Sequence, residues 1–421
     1  MTAQPRASVL APFRIRSFRI QWPADLLTSC AFEMETLILG WYILVETGSV
    51  LLLSLFGALL YTGTLLAPLL GVIGDRIGHR NLLAGMRAFY TVLAATLMAI
   101  ALAGALTPHA VFCITGLMGL VRPSDLGVRG ALVAHIVPAE QLLGAVAVSR
   151  TTTDVARFMG ALAGAGLFAK FGIGAAYVVV TGLYALGLVL VLAMGRLPGA
   201  DTLSRAAVGG TTSRASHWSD LVEGLVLVWS TPALLAGILV AVLVNLLAFP
   251  LSNPLLPYVA REIYAVDATG LGYLMASFAA GALLGSVAVS LRGRIAATRA
   301  MMLATFAWFG CLLVFAQMRS AWSGAAMLAL AGFAQSISMV AVAVVLLGIA
   351  GSKFRGRIMG VRMLAIYSLP LGALAGGALV EAVGFRATGT LYALAGAALS
   401  LAIAWRWRTH LWRADLPANG R

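Results

Sequence analysis

GVIGDRIGHR, residues 71–80, sets Asp75, Arg76, His79 and Arg80 among three glycines, between two apolar runs. Only 10% of the 421 residues are charged, and 61% are hydrophobic. A soluble domain keeps about a quarter of its residues charged. A charged break of this kind is therefore a loop between segments whose natural solvent is lipid. Gly71, Gly74 and Gly78 permit a tight reversal there. Asp75 suits the exposed N–H groups of a helix start, and Arg76 and Arg80 suit carboxylates or lipid phosphates.

Outward from this loop, apolar runs of roughly 18–25 residues predict twelve membrane-spanning helices, six before a polar mid-chain stretch and six after it. The runs do not alternate apolar and polar as barrel strands do. The fold class expected is all-α: two six-helix bundles. Most of the 29 Lys and Arg fall in the tails and in the loops that follow even-numbered spans. Lys170, Arg261, Arg319 and Arg386 fall in the opposite loops. This bias predicts both termini in the cytoplasm, and it accounts for the net charge of +14 without nucleic-acid binding. The mean hydropathy of +0.96 points the same way, to an integral membrane protein, expected in a bacterial inner membrane. Three scattered cysteines and five scattered histidines make no disulfide framework and no metal spacing, so no cofactor is expected.

The expected division is a basic cytoplasmic arm at 1–21, lying on the membrane surface, a first bundle at 22–195, a linker at 196–231, a second bundle at 232–407 and a cytoplasmic tail at 408–421. Glycine pairs four apart occur in spans 5, 8 and 11: Gly160/Gly164, Gly281/Gly285 and Gly372/Gly376. Such pairs let helix backbones approach closely. Two readings stand: packing within one bundle, or faces that meet and part between bundles.

Residues 71–80 resemble the G-x-x-x-D-R-x-G-R-R signature of the major facilitator superfamily, with Gly71, Asp75, Arg76, Gly78 and Arg80 matching and His79 in place of an Arg. The resemblance implies a conformational latch: Asp75 docks near the start of span 11, after KFRGR (353–357), and Arg80 or Arg76 pairs with Asp125, with Arg122 in the same network. LRGRIAATR (291–299) is the weaker second-half echo. Residues 121–138, 247–286 and 355–384 resemble the branch that includes the enterobactin exporter and macrolide efflux pumps. MGALAGAG (159–166) resembles the start of the family's antiporter signature, with Ala165 where a Pro would stand.

Span 1 carries Glu33 and Glu35 near its middle. A charge at that depth costs about 2.5–3.5 kcal/mol on insertion scales unless it is paired, protonated or wet. The two are about 200° apart on a helix and cannot face the same way. Span 5 supplies Arg150, Asp154 and Arg157 on one face, in reach of either glutamate. Two readings remain open: a structural ion pair, or a carboxylate that exchanges a proton. Trp41, Asn245, Asn253, Gln335 and Tyr367 are the candidate cavity residues.

The function expected is proton-coupled export of small amphipathic molecules by alternating access, from a monomer whose partners are a small-molecule substrate, protons and membrane lipid. The alternatives are uptake, lipid or lysolipid translocation, and a transporter-like receptor. No phosphate-cradling G-x-x-x-x-G-K-[ST], no G-x-S-x-G and no H-E-x-x-H occurs, so ATP-driven transport and enzymatic activity are not expected.

Overall fold

A computed structural model describes residues 11–66, 70, 73–74, 76–195, 215–292, 296–349 and 351–411. Among these residues every regular element is helical. Within the first half of the chain lie α1 (Arg16–Thr47), α2 (Val50–Leu59), α3 (His79–Leu102), α4 (Pro108–Ile136) and α5 (Ala139–Ala193). The second half holds α6 (Ala215–Ser230), α7 (Pro232–Ile263), α8 (Ala268–Arg292), α9 (Ala297–Phe315), α10 (Ala321–Ile349), α11 (Gly351–Leu364) and α12 (Ser368–Arg406).

Local chemistry sets several boundaries. Thr107 caps α4 by accepting from the Ala110 N–H, and Pro108 occupies the first helical position, where its missing N–H costs nothing. Gly78 precedes α3 at φ 86°, a conformation that a Cβ would strain. The run Pro232–Ile263 is interrupted at Asn253, which leaves helical geometry at φ −144°, next to Pro254.

Nine described helices are long and apolar enough to cross a membrane, where twelve were expected. The difference arises at three places. Residues 144–193 and 357–406 each form a stretch of 50 residues, turned at Gly172 (φ 77°, ψ 178°) and Gly384 (φ 81°, ψ 162°). The apolar helix Val50–Thr64 is shorter than the others.

The chain divides into two compact units. The first holds the residues up to Glu46 and those from Leu59 to Thr212; the second holds Thr47–Ala58 and the residues from Ser213 onward. The sequence reading placed 47–58 in the first bundle. In the structure Ser54 Oγ and the Val50 carbonyl lie so near Gly377 that a Cβ there would meet them at 2.1 and 3.2 Å, and a Cβ on Gly57 would lie 3.0 Å from Pro254 Cβ. The predicted linker up to residue 214 lies outside the described residues; its last part is helix α6.

The glycine pairs pack inside their own units. In the first unit, a Cβ on Gly160 would lie 2.8 Å from Glu33 Cβ and one on Gly164 would lie 2.9 Å from Met34 Cα, so α1 and the first half of α5 nearly touch. In the second, Gly281 and Gly285 face the carbonyls of Ala329 and Phe333 on α10, and Gly372 faces that of Leu246 on α7. Of the two readings, these contacts fit packing within one unit.

The N-terminal arm also departs from expectation. α1 begins at Arg16, inside the predicted 1–21 arm. Phe13, Ile15 and Trp22 pack with Phe18, Val133, Val137 and Ala145, which ties the arm to the turn between α4 and α5. Arg14, Arg16 and Arg19 stay exposed. Residues 1–10 lie outside the described residues.

Candidate functional site

The buried charges of the first unit form three groups around α1. The first surrounds Glu35, which is 3% exposed. Tyr184 Oη donates to Glu35 Oε2 at 2.8 Å, and Tyr177 Oη donates to Oε1 at 3.2 Å. The two tyrosines are seven apart on the second half of α5, two turns along one face. Next to it on α1, Arg122 of α4 donates to Thr36 Oγ1 at 3.0 Å and lays its guanidinium 4.7 Å over the Phe32 ring. Phe32 in turn meets Tyr184 and Tyr90 edge to face. A carboxylate so placed has two hydroxyl donors and, among the described residues, no cation in hydrogen-bonding contact, an arrangement that serves either charge state of the carboxyl.

The second group lies between α1 and the first half of α5. Arg157 Nε is 3.6 Å from Glu33 Oε1, and Arg150 Nε is 3.6 Å from Asp154 Oδ2. Asp154 is fully buried, and neither of its oxygens has a hydrogen bond. The helices run in the same direction here, because contacts climb together: Trp22 Nε1 donates to Thr152 Oγ1 at 2.7 Å, Cys30 and Glu33 meet Gly160, and Met34 meets Gly164.

The third group was not foreseen. Asp25 and Arg87 form an ion pair, as do Asp125 and Arg129, and Arg129 Nε is also 3.6 Å from Asp25 Oδ1. Arg87 is fully buried and donates in addition to the Ala24 carbonyl and to Thr28. Arg129 donates to Ser29 Oγ at 2.8 Å, and Gln21 Nε2 to Asp25 Oδ2 at 3.3 Å. Two acids and two guanidinium groups balance, which is what burial of charge demands. A Cβ on Gly187 would lie 2.7 Å from Thr28 Oγ1 and 3.0 Å from Arg87 Nη1, so only glycine leaves room for this arginine.

This group sets Asp125 apart from Arg80, one of its two expected latch partners. Asp125 pairs with Arg129, one turn further along α4, where the i,i+4 spacing brings the two side chains together. Arg80 instead donates to Asn81 Oδ1 at 3.1 Å and to the Leu192 carbonyl at 2.7 Å. Arg122, three positions before Asp125 on α4, reaches Phe32 and Thr36 of α1. Arg76 is exposed, while Gly71 and Asp75 lie outside the described residues.

The candidate cavity residues are scattered. Trp41 is half-buried on α1. In the second unit, Asn245 Nδ2 donates back to the Ala241 carbonyl at 2.8 Å, through a π turn at Val244–Ala248. Asn253 sits at the break in α7, and Tyr367 is half-buried at a 3-10 turn. Gln335 is 2% exposed with Oε1 unpaired, near the buried Thr305–Ser338 hydroxyl pair that joins α9 to α10 at 2.7 Å.

Residues 7–418 match the family described as transmembrane secretion effector. Over 202 residues the chain is 28% identical to the multidrug efflux pump Tap of Mycolicibacterium fortuitum, a match covering 48% of each protein. The chain thus spans about half the length of that curated relative. Among solved structures, it shares its fold with a POT family transporter in complex with 5-aminolevulinic acid (TM-score 0.72, 12% identity, covering 94% of this chain and 96% of that one). The same holds for the nucleoside transporter NupG (TM-score 0.69, 13% identity, 95% and 100%) and the human organic anion transporter MFSD10 (TM-score 0.63, 17% identity, 95% and 100%). With nine helices long and apolar enough to cross a membrane among its described residues and a family match over nearly its whole length, the chain belongs to the transmembrane secretion effectors of the major facilitator superfamily.

Proposed function

We propose that this transporter exports small amphipathic molecules in exchange for protons moving inward, across a bacterial cytoplasmic membrane, with both termini in the cytoplasm. It works as a monomer by alternating access of an N-terminal and a C-terminal bundle, with Thr47–Ala58 counted in the second. The observation that carries the reading is Glu35: an acid 3% exposed within a spanning helix, met by two tyrosine hydroxyls and, among the described residues, by no cation at hydrogen-bonding distance. An ionisable group inside a membrane segment is costly and marks a pathway for ions or protons. The name of the relative, a multidrug efflux pump, supports the direction and the class of cargo. Glu33, held near Arg157, then keeps α1 and α5 in register, while Arg150 and Asp154 pair one turn apart on α5.

The test is reconstitution in liposomes loaded with a pH-sensitive dye, challenged with cationic dyes, macrolides and siderophores. The reading expects at least one compound to elicit proton flux that Glu35→Gln abolishes in a folded protein. Compound movement without proton flux, unchanged in Glu35→Gln, overturns it.

A further inference from the structure

His79 and His135 stand far apart in the sequence, where they form no metal-binding spacing. The fold brings them together. His79 opens α3 and His135 lies in the last turn of α4, both within the first unit. Their ring centroids are 5.0 Å apart, and the ring planes meet at 41°. Rings that associate by packing alone favour offset stacking or edge-to-face contact, and 41° is neither. Zinc–imidazole bonds of about 2.0–2.1 Å place two rings on one tetrahedral ion with their centroids about 5 Å apart. The observed separation matches that spacing.

His79 is half-buried and His135 is exposed, so an ion reaches the pair from solvent. The adjacent cation, Arg80, is engaged with Asn81 Oδ1 and the Leu192 carbonyl. His79 is also the position at which residues 71–80 depart from the signature they resemble. An arginine there has no lone pair to give a metal, whereas an imidazole does.

We propose that His79 and His135 form a two-imidazole site for a divalent transition-metal ion of the zinc, nickel or copper(II) kind, which ties the start of α3 to the end of α4. Imidazole nitrogen selects these ions over magnesium and calcium, which take oxygen. Among the described residues no third His, Cys, Asp or Glu completes the group, so water fills the remaining positions of the ion. An ion held by two protein ligands at the surface exchanges readily. It acts as a reversible clamp between two helix ends, not as a resident structural metal with four protein ligands.

The test uses the full-length protein in detergent, free of any affinity tag and stripped of metal by a chelator. Calorimetric titration with zinc is expected to show binding at one ion per chain. His79→Gln and His135→Gln are each expected to weaken it at least tenfold. The double variant is expected to be no weaker than either single, because one imidazole alone does not chelate. His109→Gln, at the opposite end of α4, is expected to bind as wild type does. Copper(II) on the wild type is expected to give an electron paramagnetic resonance spectrum with two nitrogen ligands, a readout that needs no variant to fold. A wild type that binds no zinc, zinc binding of wild-type strength in the double variant, or a copper spectrum with fewer than two nitrogens overturns the site.

Discussion

Glu33 and Glu35, two positions apart on α1, turn to different neighbours: Glu33 lies 3.6 Å from Arg157 on the first half of α5, and Glu35 accepts from Tyr177 and Tyr184 on the second half. The half-turn of helix between them makes one glutamate a register contact and the other an interior acid. The Glu33–Arg157 pair lies at 3.6 Å, with side chains 19% and 30% accessible. Glu33→Gln is expected to transport with wild-type proton coupling and a small drop in melting temperature. Glu35→Gln is expected to fold and to lose coupling. Proton flux in the two single variants checks this, and equal losses of coupling would contradict it.

The Asp25–Arg87 pair should behave as a coupled unit. Removing one partner of a buried pair strands the other, at about 3–5 kcal/mol. Arg87→Met is expected to lower stability by that order, and Asp25→Asn with Arg87→Met together to lower it less than the sum of the singles. Thermal unfolding of the four proteins of this cycle in detergent decides it. Strict additivity would mean that Arg129 and Gln21, which also reach Asp25, already satisfy it without Arg87.

The sequence carried the membrane setting and the likeness of 71–80 to a superfamily signature, because both rest on local patterns. It also brought Glu33 within reach of Arg157, because two long charges at matching depths in apolar runs need partners. The Asp25 group was not legible. Its members come from α1, α3 and α4, each looks alone like a residue near a span end, and no spacing links Asp25 to Arg87, 62 positions away. Tyr177 and Tyr184 escaped for a similar reason: an aromatic in an apolar run reads as packing until its hydroxyl is seen against Glu35. The glycine pairs were visible as close contacts, yet only the structure tells that Gly160 meets α1 and Gly281 meets α10.

Those glycine contacts give opposite signs for one substitution. A Cβ at Gly281 would sit 1.8 Å from the Ala329 carbonyl oxygen, a backbone atom that cannot swing away. Gly281→Ala is expected to destabilise by about 1–3 kcal/mol through forced separation of α8 and α10. Gly310, in α9, has nothing within 4 Å of its would-be Cβ. Gly310→Ala is expected to leave the melting temperature unchanged or to raise it, since alanine favours a helix over glycine. Equal effects at the two sites would argue that the α8–α10 approach is looser than the structure has it.

Gly172 and Gly384 test whether the two long helical runs turn by backbone conformation alone. Both lie at φ near +80° with ψ close to extended, a region that is essentially restricted to glycine, and both have open space where a Cβ would project. No steric clash therefore adds to the backbone strain, about 1–3 kcal/mol per site. Gly172→Ala and Gly384→Ala are each expected to cost that amount, and the double variant their sum, since each turn lies in its own unit. Gly166, on the same run as Gly172 and equally open but without a positive φ, is the control: Gly166→Ala should cost nothing. If all three alanines behave alike, the 50-residue runs turn elsewhere than at these glycines, and the two spans on either side of each turn must be redrawn.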